Sequence, residues 1–209
     1  MYVNNLMLSK AELVTVTRED NVQTALDLIV KNDFLSLPVV DNHKFYGNVS
    51  KELIFEYYYK ANVNGNNLVV LSDIKIKDVM GTDFPQVHMD DLVETAVNLL
   101  YINKSPFVTV VDDNGDFKGI ITHKAIFKEF TEVFGINKGN RIAVTAYDIP
   151  GQILKLTKII SENKADIISC VVSDPKSKLS VKEIVLRVKT NDFDHIVKKI
   201  EASGFKVNL

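Results

Sequence analysis

The sequence predicts a mixed α/β (α+β) chain in which a strand, helix, strand, strand, helix unit occurs twice and a third unit of order βαββαβ follows. Three observations carry this reading. The apolar set Val22, Ala25, Leu26 and Ile29, at spacing i, i+3, i+4, i+7, returns 71 positions on as Val93, Ala96, Val97 and Leu100. Val39-Val40-Asp41 returns as Val110-Val111-Asp112, again 71 on, and Gly47-Asn48-Val49-Ser50 as Gly119-Ile120-Ile121-Thr122, 72 on. The extra residue falls inside a turn, so the landmarks keep their order and mark a duplicated unit. From Arg141 onward the pattern is different and does not repeat.

Residues 1–8 are too short to fold alone, and Leu6, Met7 and Leu8 are expected to cover an apolar edge. Residues 12–17 are β-branched and predict a short strand. The polar residues 17–21 can cap the helix of residues 22–32, which has one apolar stripe. Residues 34–41 form a nearly continuous apolar run, the mark of a strand buried on both faces. A turn at 42–44, a strand at 45–50 and a helix at 51–59 complete the first copy. Residues 62–67, rich in Asn, read as a loop.

In the second copy the first strand is expected around 84–88. It is followed by a helix at 91–103, strands at 107–112 and 117–122 around the Asp113-Asn114-Gly115 turn, and a helix at 123–134. Neither copy of about 55 residues buries much core alone, so the two are expected to pack through their sheets. Gly135 and Gly139 mark a boundary. Beyond it come a strand at 142–147, the Asp148-Ile149-Pro150-Gly151 turn, and a helix at 152–163 with Ile153, Leu156, Ile159 and Ile160 on one face. A strand at 166–172, a hairpin turn at 173–177, a strand at 181–188, a helix at 192–202 and a strand at 205–209 follow. This order is the split βαβ, ferredoxin-like arrangement.

Composition removes several function classes. The net charge of −2 gives no drive toward nucleic acid or an anionic membrane. A single cysteine, Cys170, leaves no internal disulfide and fits a reducing compartment. No apolar run approaches the roughly 18 residues of a spanning helix, and the start of the chain lacks a signal-peptide pattern. The expectation is a soluble cytoplasmic protein with no nucleic-acid or membrane partner.

The duplicated unit resembles the CBS domain, which occurs in tandem pairs. The residues that carry the resemblance are the Val22/Ala25 and Val93/Ala96 helices, Ser36-Leu37-Pro38-Val39-Val40-Asp41, and the Gly47-x-x-Ser50 and Gly119-x-x-Thr122 segments. The C-terminal unit resembles the ACT domain, whose Asp-x-Pro-Gly turn stands here as Asp148-Ile149-Pro150-Gly151. The implied domains are a first CBS repeat at 1–60, a linker at 61–75, a second repeat at 76–135 and an ACT domain at 141–209. The order is similar to that of small regulatory proteins that include bacterial cyclic di-AMP receptors and acetoin-utilisation regulators.

The resemblance implies two composite clefts. The first would use Lys10, Ala11, Leu13, Phe34, Leu35 and Ser36 with Thr122, His123 and Lys124. The second would use Gln86, Ser105, Pro106 and Phe107 with Ser50 and Lys51. Apolar walls would stack on a base, and hydroxyls and cations would meet phosphate at a helix start. Many nucleotide-binding repeats carry Ser/Thr-x-x-Asp, whose carboxylate grips ribose hydroxyls, but the positions here are Leu53 and Ala125. This favours cyclic di-AMP over AMP or ATP, and Lys10, His123 and Lys124 favour the first cleft.

Simpler readings stand beside these. Thr122 is a helix cap with or without a ligand role, and Phe34-Leu35-Ser36 is plain core or pocket wall. Asp148 and Gly151 serve the turn alone or border an amino-acid effector site. Tyr57-Tyr58-Tyr59 reads as a helix end that packs at a dimer surface, and Cys170 as inert core. His123 has no companions at metal-ligand spacing. No nucleophile with a base, metal set or phosphate loop is present, so no catalytic residue and no cofactor is expected. The leading expectation is a non-enzymatic, homodimeric sensor of an adenine nucleotide that modulates an unidentified protein partner. The alternatives are an amino-acid-responsive regulator with degenerate CBS clefts and a structural interaction protein.

Overall fold

The computed structural model describes residues 1–64, 70–103, 105–176 and 180–208. The chain divides into two compact units, Met1–Phe127 and Lys128–Leu209. No helix among the described residues is long and apolar enough to cross a membrane.

The first unit opens with a 3-10 turn at Val3–Asn5, strand β1 (Leu8–Ser9) and a second 3-10 turn at Lys10–Glu12. Then come α1 (Val22–Asn32), β2 (Ser36–Asp41), β3 (Lys44–Ser50) and α2 (Lys51–Asn64). The second copy supplies 3-10 turns at Leu71–Asp73 and Ile76–Asp78, β4 (Gln86–His88), α3 (Val93–Ile102), β5 (Phe107–Val111), β6 (Phe117–Thr122) and α4 (His123–Val133). Helix α1 starts where the Asn21 side chain accepts from the Thr24 amide at 2.8 Å, and Asp33, in the left-handed region at φ 53°, ends it.

The two copies exchange their leading segments. Strand β1 does not stay with its own repeat: it pairs antiparallel with β6, Leu8 opposite Ile120, in a sheet of order β1-β6-β5-β4. Val3, fully buried, packs in the second repeat's core with Val87, Ala96, Val108, Val110 and Ile121. The second copy returns the exchange. Ile74, Ile76 and Val79 pack in the first repeat's core with Val22, Ala25, Ile29, Leu37 and Val49. Backbone pairing matches: Tyr2 bridges Leu92 and Lys75 bridges Asn21, while the Val93 amide donates to Met1 O and the Val22 amide to Ile74 O. Val22 and Val93 therefore sit in equivalent surroundings.

Two glycines make this exchange possible. A Cβ on Gly47 would lie 2.0 Å from the Gly81 carbonyl oxygen, and one on Gly119 would lie 2.1 Å from that of Leu8. Between the copies, Phe45 stacks on Phe117 and meets the edges of Phe84 and Phe107, with centroids 5.6 to 6.1 Å apart. The sheets do pack on one another through apolar side chains, as expected.

Several expected boundaries move. The strand expected at 12–17 is reduced to one parallel bridge from Val16 to Val39. The cause is the Ser9-x-x-Glu12 capping box, in which the Glu12 carboxylate accepts from the Ser9 amide and hydroxyl and coils this stretch. Strand β2 begins at Ser36, so Phe34 and Leu35 precede it, and Leu35 is 83% exposed. Helix α2 runs through residues 62–64, which were expected to be loop. An i,i+4 Glu56–Lys60 ion pair extends it past Tyr59, leaving Tyr57 partly buried and Tyr59 exposed in mid-helix. Residues 65–67 of that expected loop lie outside the described residues.

The second unit contains β7 (Asn140–Tyr147), α5 (Gln152–Glu162), β8 (Asp166–Ser173), β9 (Val181–Lys189), α6 (Phe193–Ala202) and β10 (Lys206–Asn208). The antiparallel sheet has order β10-β7-β9-β8, the split βαβ topology. Alternate residues Ile142, Val144 and Ala146 of β7 meet Leu156 and Ile160 of α5 and Ile196 and Ile200 of α6. Asp192 caps α6 by accepting from the His195 amide.

Three expectations in this unit are corrected. Ile153 is 46% exposed, off the buried stripe of α5. Cys170 is exposed rather than core, because β8 is the edge strand of the sheet, and partial desolvation pushes its thiol pKa up. Ser173 closes β8 instead of opening the hairpin turn. Ser177 and Leu209 lie outside the described residues.

Candidate functional site

The reciprocal packing creates two clefts, each with walls from both copies. The first, about 370 Å³, is lined by Leu8, Glu12, Leu13, Val14 and residues 33–38 from one copy. Pro106, Phe107, Ile120, Thr122, His123 and Lys124 of the other copy close it. The second, about 950 Å³, has Gly81, Thr82, Asp83, Phe84, Asn103, Ser105 and Pro106 facing Asn48, Ser50, Lys51, Glu52, Leu53 and Glu56. Asp33, Phe34, Leu35, Ser36, Pro106 and His123 border both, so the clefts adjoin.

Of the residues expected in the first cleft, Leu13, Phe34, Leu35, Ser36, Thr122, His123 and Lys124 are brought together. Lys10 and Ala11 do not line it. The Lys10 ammonium lies 3.1 Å from His43 Nδ1, and Ala11 is exposed in the 3-10 turn created by the capping box. In the second cleft Ser50, Lys51, Ser105 and Pro106 come together. Gln86 does not: it is an exposed residue of β4. Phe107 is 2% exposed and lines the first cleft instead, because its ring belongs to the aromatic cluster between the copies.

The helix starts are built alike. Thr122 Oγ accepts from the Ala125 amide at 3.1 Å and Ser50 Oγ from the Leu53 amide at 3.2 Å. Each hydroxyl thus caps its helix and keeps its own proton to donate. Their surroundings differ in charge. His123 and Lys124 follow Thr122, with the carboxylates of Glu12 and Asp33 also lining the cleft, and Glu12 is held below its usual range by hydrogen bonds from the Ser9 hydroxyl and amide. Lys51 and Glu52 follow Ser50, and Asp83 and Glu56 lie near them. Sequence reasoning missed Glu12, Asn48, Asp83 and Glu56. The duplication was the available signal, since Asp83 is Lys10 shifted by 73 positions and Asn48 is Ile120 shifted by 72.

In the second unit a cavity of about 500 Å³ lies at the Asp148-Ile149-Pro150-Gly151 turn, walled by Ile153, Leu154, Val172 and Ile184. The Asp148 side chain does not cap α5. Its carboxylate lies 3.5 Å from Lys182 Nζ, and Gly151, at φ 88°, occupies the cap position without a side-chain bond. Asp148, and then Asp174, push the Lys182 pKa up. No group of three His, Cys, Asp or Glu among the described residues is placed to hold a metal ion.

Comparison with known proteins follows the same division. The sequence model described as "CBS domain" matches residues 3–60 and 76–132, more than half of the chain. Cyclic di-AMP receptor B of Bacillus subtilis is 25% identical over 138 residues, which cover 65% of this chain and 91% of the receptor. A crystal structure of Listeria monocytogenes CbpB in complex with c-di-AMP aligns at TM-score 0.52 and 30% identity, over 62% of this chain and 94% of that one. CBSX2 in complex with AMP aligns at TM-score 0.51 and 25% identity, over 63% of this chain and 97% of that one.

Proposed function

We propose, from the premise that the chain belongs to the CBS-domain family, that it is a non-enzymatic regulatory sensor whose first cleft takes an adenine nucleotide, cyclic di-AMP above AMP or ATP. One observation carries the choice of cleft. The capped start of α4, with Thr122, His123 and Lys124, faces the apolar residues Leu13, Phe34 and Leu35 across about 370 Å³. The free amides of a helix start, a hydroxyl proton and an ammonium group suit a phosphodiester. Leu13, Phe34, Leu35, Pro106 and Phe107 suit the faces of a base.

The choice among nucleotides rests on Leu53 and Ala125, which leave no carboxylate at the position where many CBS repeats grip a free ribose diol. A cyclic dinucleotide has its 3′ oxygens tied in phosphodiesters and needs that grip less. Two of the compared proteins are named or crystallised with this ligand, which supports the order. Binding would alter engagement of a protein partner by favouring one of two states of a homodimer, and only to the extent that the states bind the ligand unequally.

Calorimetric titration with cyclic di-AMP, AMP, ATP and S-adenosylmethionine tests this. Cyclic di-AMP is expected to bind most tightly, and the absence of heat with all four would remove the sensor reading. A second reading, regulation by an amino acid through an ACT-like second unit, is favoured by the cavity beside Asp148 and Lys182. Thermal stabilisation by a small amino acid that is lost in Val172→Arg would support it.

A further inference from the structure

Arginine occurs three times among the 25 lysines and arginines of the chain. Arg18 is explained by its neighbours: its Nε lies 2.6 Å from Asp41 Oδ2, and its guanidinium carbon lies 3.8 Å from the centroid of the Tyr46 ring. The other two stand directly opposite each other, Arg141 of β7 against Arg187 of β9. Ile142 and Val144 of β7 and Leu186 and Val188 of β9 share a core with residues of α5 and α6. The alternation of a strand therefore turns both arginines to the opposite face of the sheet. Like charges directly opposite one another lower the stability of a sheet. Neither arginine makes an ion pair or a side-chain hydrogen bond among the described residues.

One side of this pair is built. Ser169 of β8 faces Arg187 across the next ladder, and its hydroxyl donates to Phe134 O at 2.9 Å. Gly135 follows at φ 60°, and an added Cβ there would lie 3.2 Å from Ser169 Oγ and 3.4 Å from Arg187 Cγ. The stem of Arg187 is thus half-buried beside Gly135, while Arg141 is exposed. Of the carboxylates in the sheet, Asp166 stands opposite Lys189, and Glu183 is four residues along β9 from Arg187, about 13 Å away. Glu132, in the last turn of α4, pairs with Lys138. The carbonyl end of α4 gives Arg187 a structural role, but it does not explain a second arginine set against it.

We propose that Arg141 and Arg187 bind a dianionic phosphate group, free or as a monoester. Two guanidinium groups supply two positive charges and paired N–H donors in rigid forks. These match the charge and the several oxygens of a phosphate better than the two oxygens and single charge of a carboxylate. The pair shares no residue with the cavity at the Asp148-Ile149-Pro150-Gly151 turn or with either cleft of the first unit. The site goes beyond the nucleotide reading of the first cleft and does not rest on it.

The test is NMR on the full chain with isotope-labelled arginine, at fixed ionic strength. Three arginines give three Nε–Hε signals, and Arg18 is the internal control. Inorganic phosphate is expected to move the Arg141 and Arg187 signals along one saturating curve and to leave Arg18 in place. Phenyl phosphate, titrated separately, probes the monoester. Saturation by inorganic phosphate alone supports a site for the free ion, and by phenyl phosphate alone a site for a monoester. Acetate at the same ionic strength should move neither signal. Arg187→Lys keeps stem and charge but loses the fork, and should weaken phosphate at least about tenfold as read on Arg141. Arg141→Gln, at an exposed position, should raise the melting temperature in phosphate-free buffer and abolish the response of Arg187, a pairing that a merely structural role would not give. No response to either phosphate, a response shared equally by Arg18, shifts that do not saturate, or the same shifts with acetate would each overturn the proposal. So would unchanged affinity in Arg187→Lys or a lower melting temperature in Arg141→Gln. None of these results bears on cyclic di-AMP in the first cleft, so the two readings fail separately.

Discussion

Lys124 shows what one residue is expected to contribute. It is exposed at the mouth of the first cleft, two residues after the cap Thr122. Lys124→Glu should weaken cyclic di-AMP by about 1–3 kcal/mol, through loss of a charge-assisted contact and gain of a repulsion. Unchanged affinity in titration would place the nucleotide elsewhere. Asp112 offers a pH-dependent counterpart. Its carboxylate accepts from Lys118 Nζ at 2.7 Å and from the Asp116 and Asn114 amides, which together lower its pKa to about 2 from 3.8. A depressed folded-state value means a contribution that is complete above the unfolded pKa and is lost as pH falls toward about 2. The stability difference between the natural protein and Asp112→Asn should therefore shrink as pH drops from about 5 to 2, as read by denaturant titration at each pH.

At the scale of the element, the periodic stripes were legible and the partners were not. Val22, Ala25 and Ile29 announce a helix because their spacing places them on one face, and all three are buried. Nothing in Leu6-Met7-Leu8 or Val79-Met80 says which core receives them, since apolar character is the same toward either repeat. The capping box at Ser9 and Glu12 was in the sequence, but the β-branched run after it carried the opposite prediction. Leu35 misled for a related reason: apolar type does not compel burial. The exchange has a direct test. Ile76→Ala should destabilise by about 2–5 kcal/mol, and amides of α1, in the first repeat, should lose hydrogen-exchange protection before those of α3. The reverse order would contradict the crossed packing. Gly47→Ala should cost about 1–3 kcal/mol or more in chemical denaturation, because its Cβ has no room beside Gly81.

For the whole molecule, the duplicated body and the four-stranded split βαβ unit were both readable from order alone. The composition of the clefts was less so, because their walls come from segments about 70 to 110 positions apart in sequence, such as Leu13, Phe34 and Lys124. Ligand binding should appear in the stability of the unit Met1–Phe127. At a hundredfold excess over Kd, cyclic di-AMP is expected to add about 2.7 kcal/mol, measurable as raised protection of amides in residues 1–127. Protection that does not respond to saturating nucleotide would separate binding from the fold of this unit.

The pairing of Leu8 with Ile120 also bears on how the chain is made. Within the unit, Leu8 leaves the ribosome long before its docking partner Ile120, which stands in nearly the last segment of the unit to be synthesised. Val3 must wait, solvated, until Val87, Val108 and Ile121 have emerged. Closing so long a loop is a slow, non-local step, so acquisition of the native state should follow completion of the unit rather than accompany its elongation.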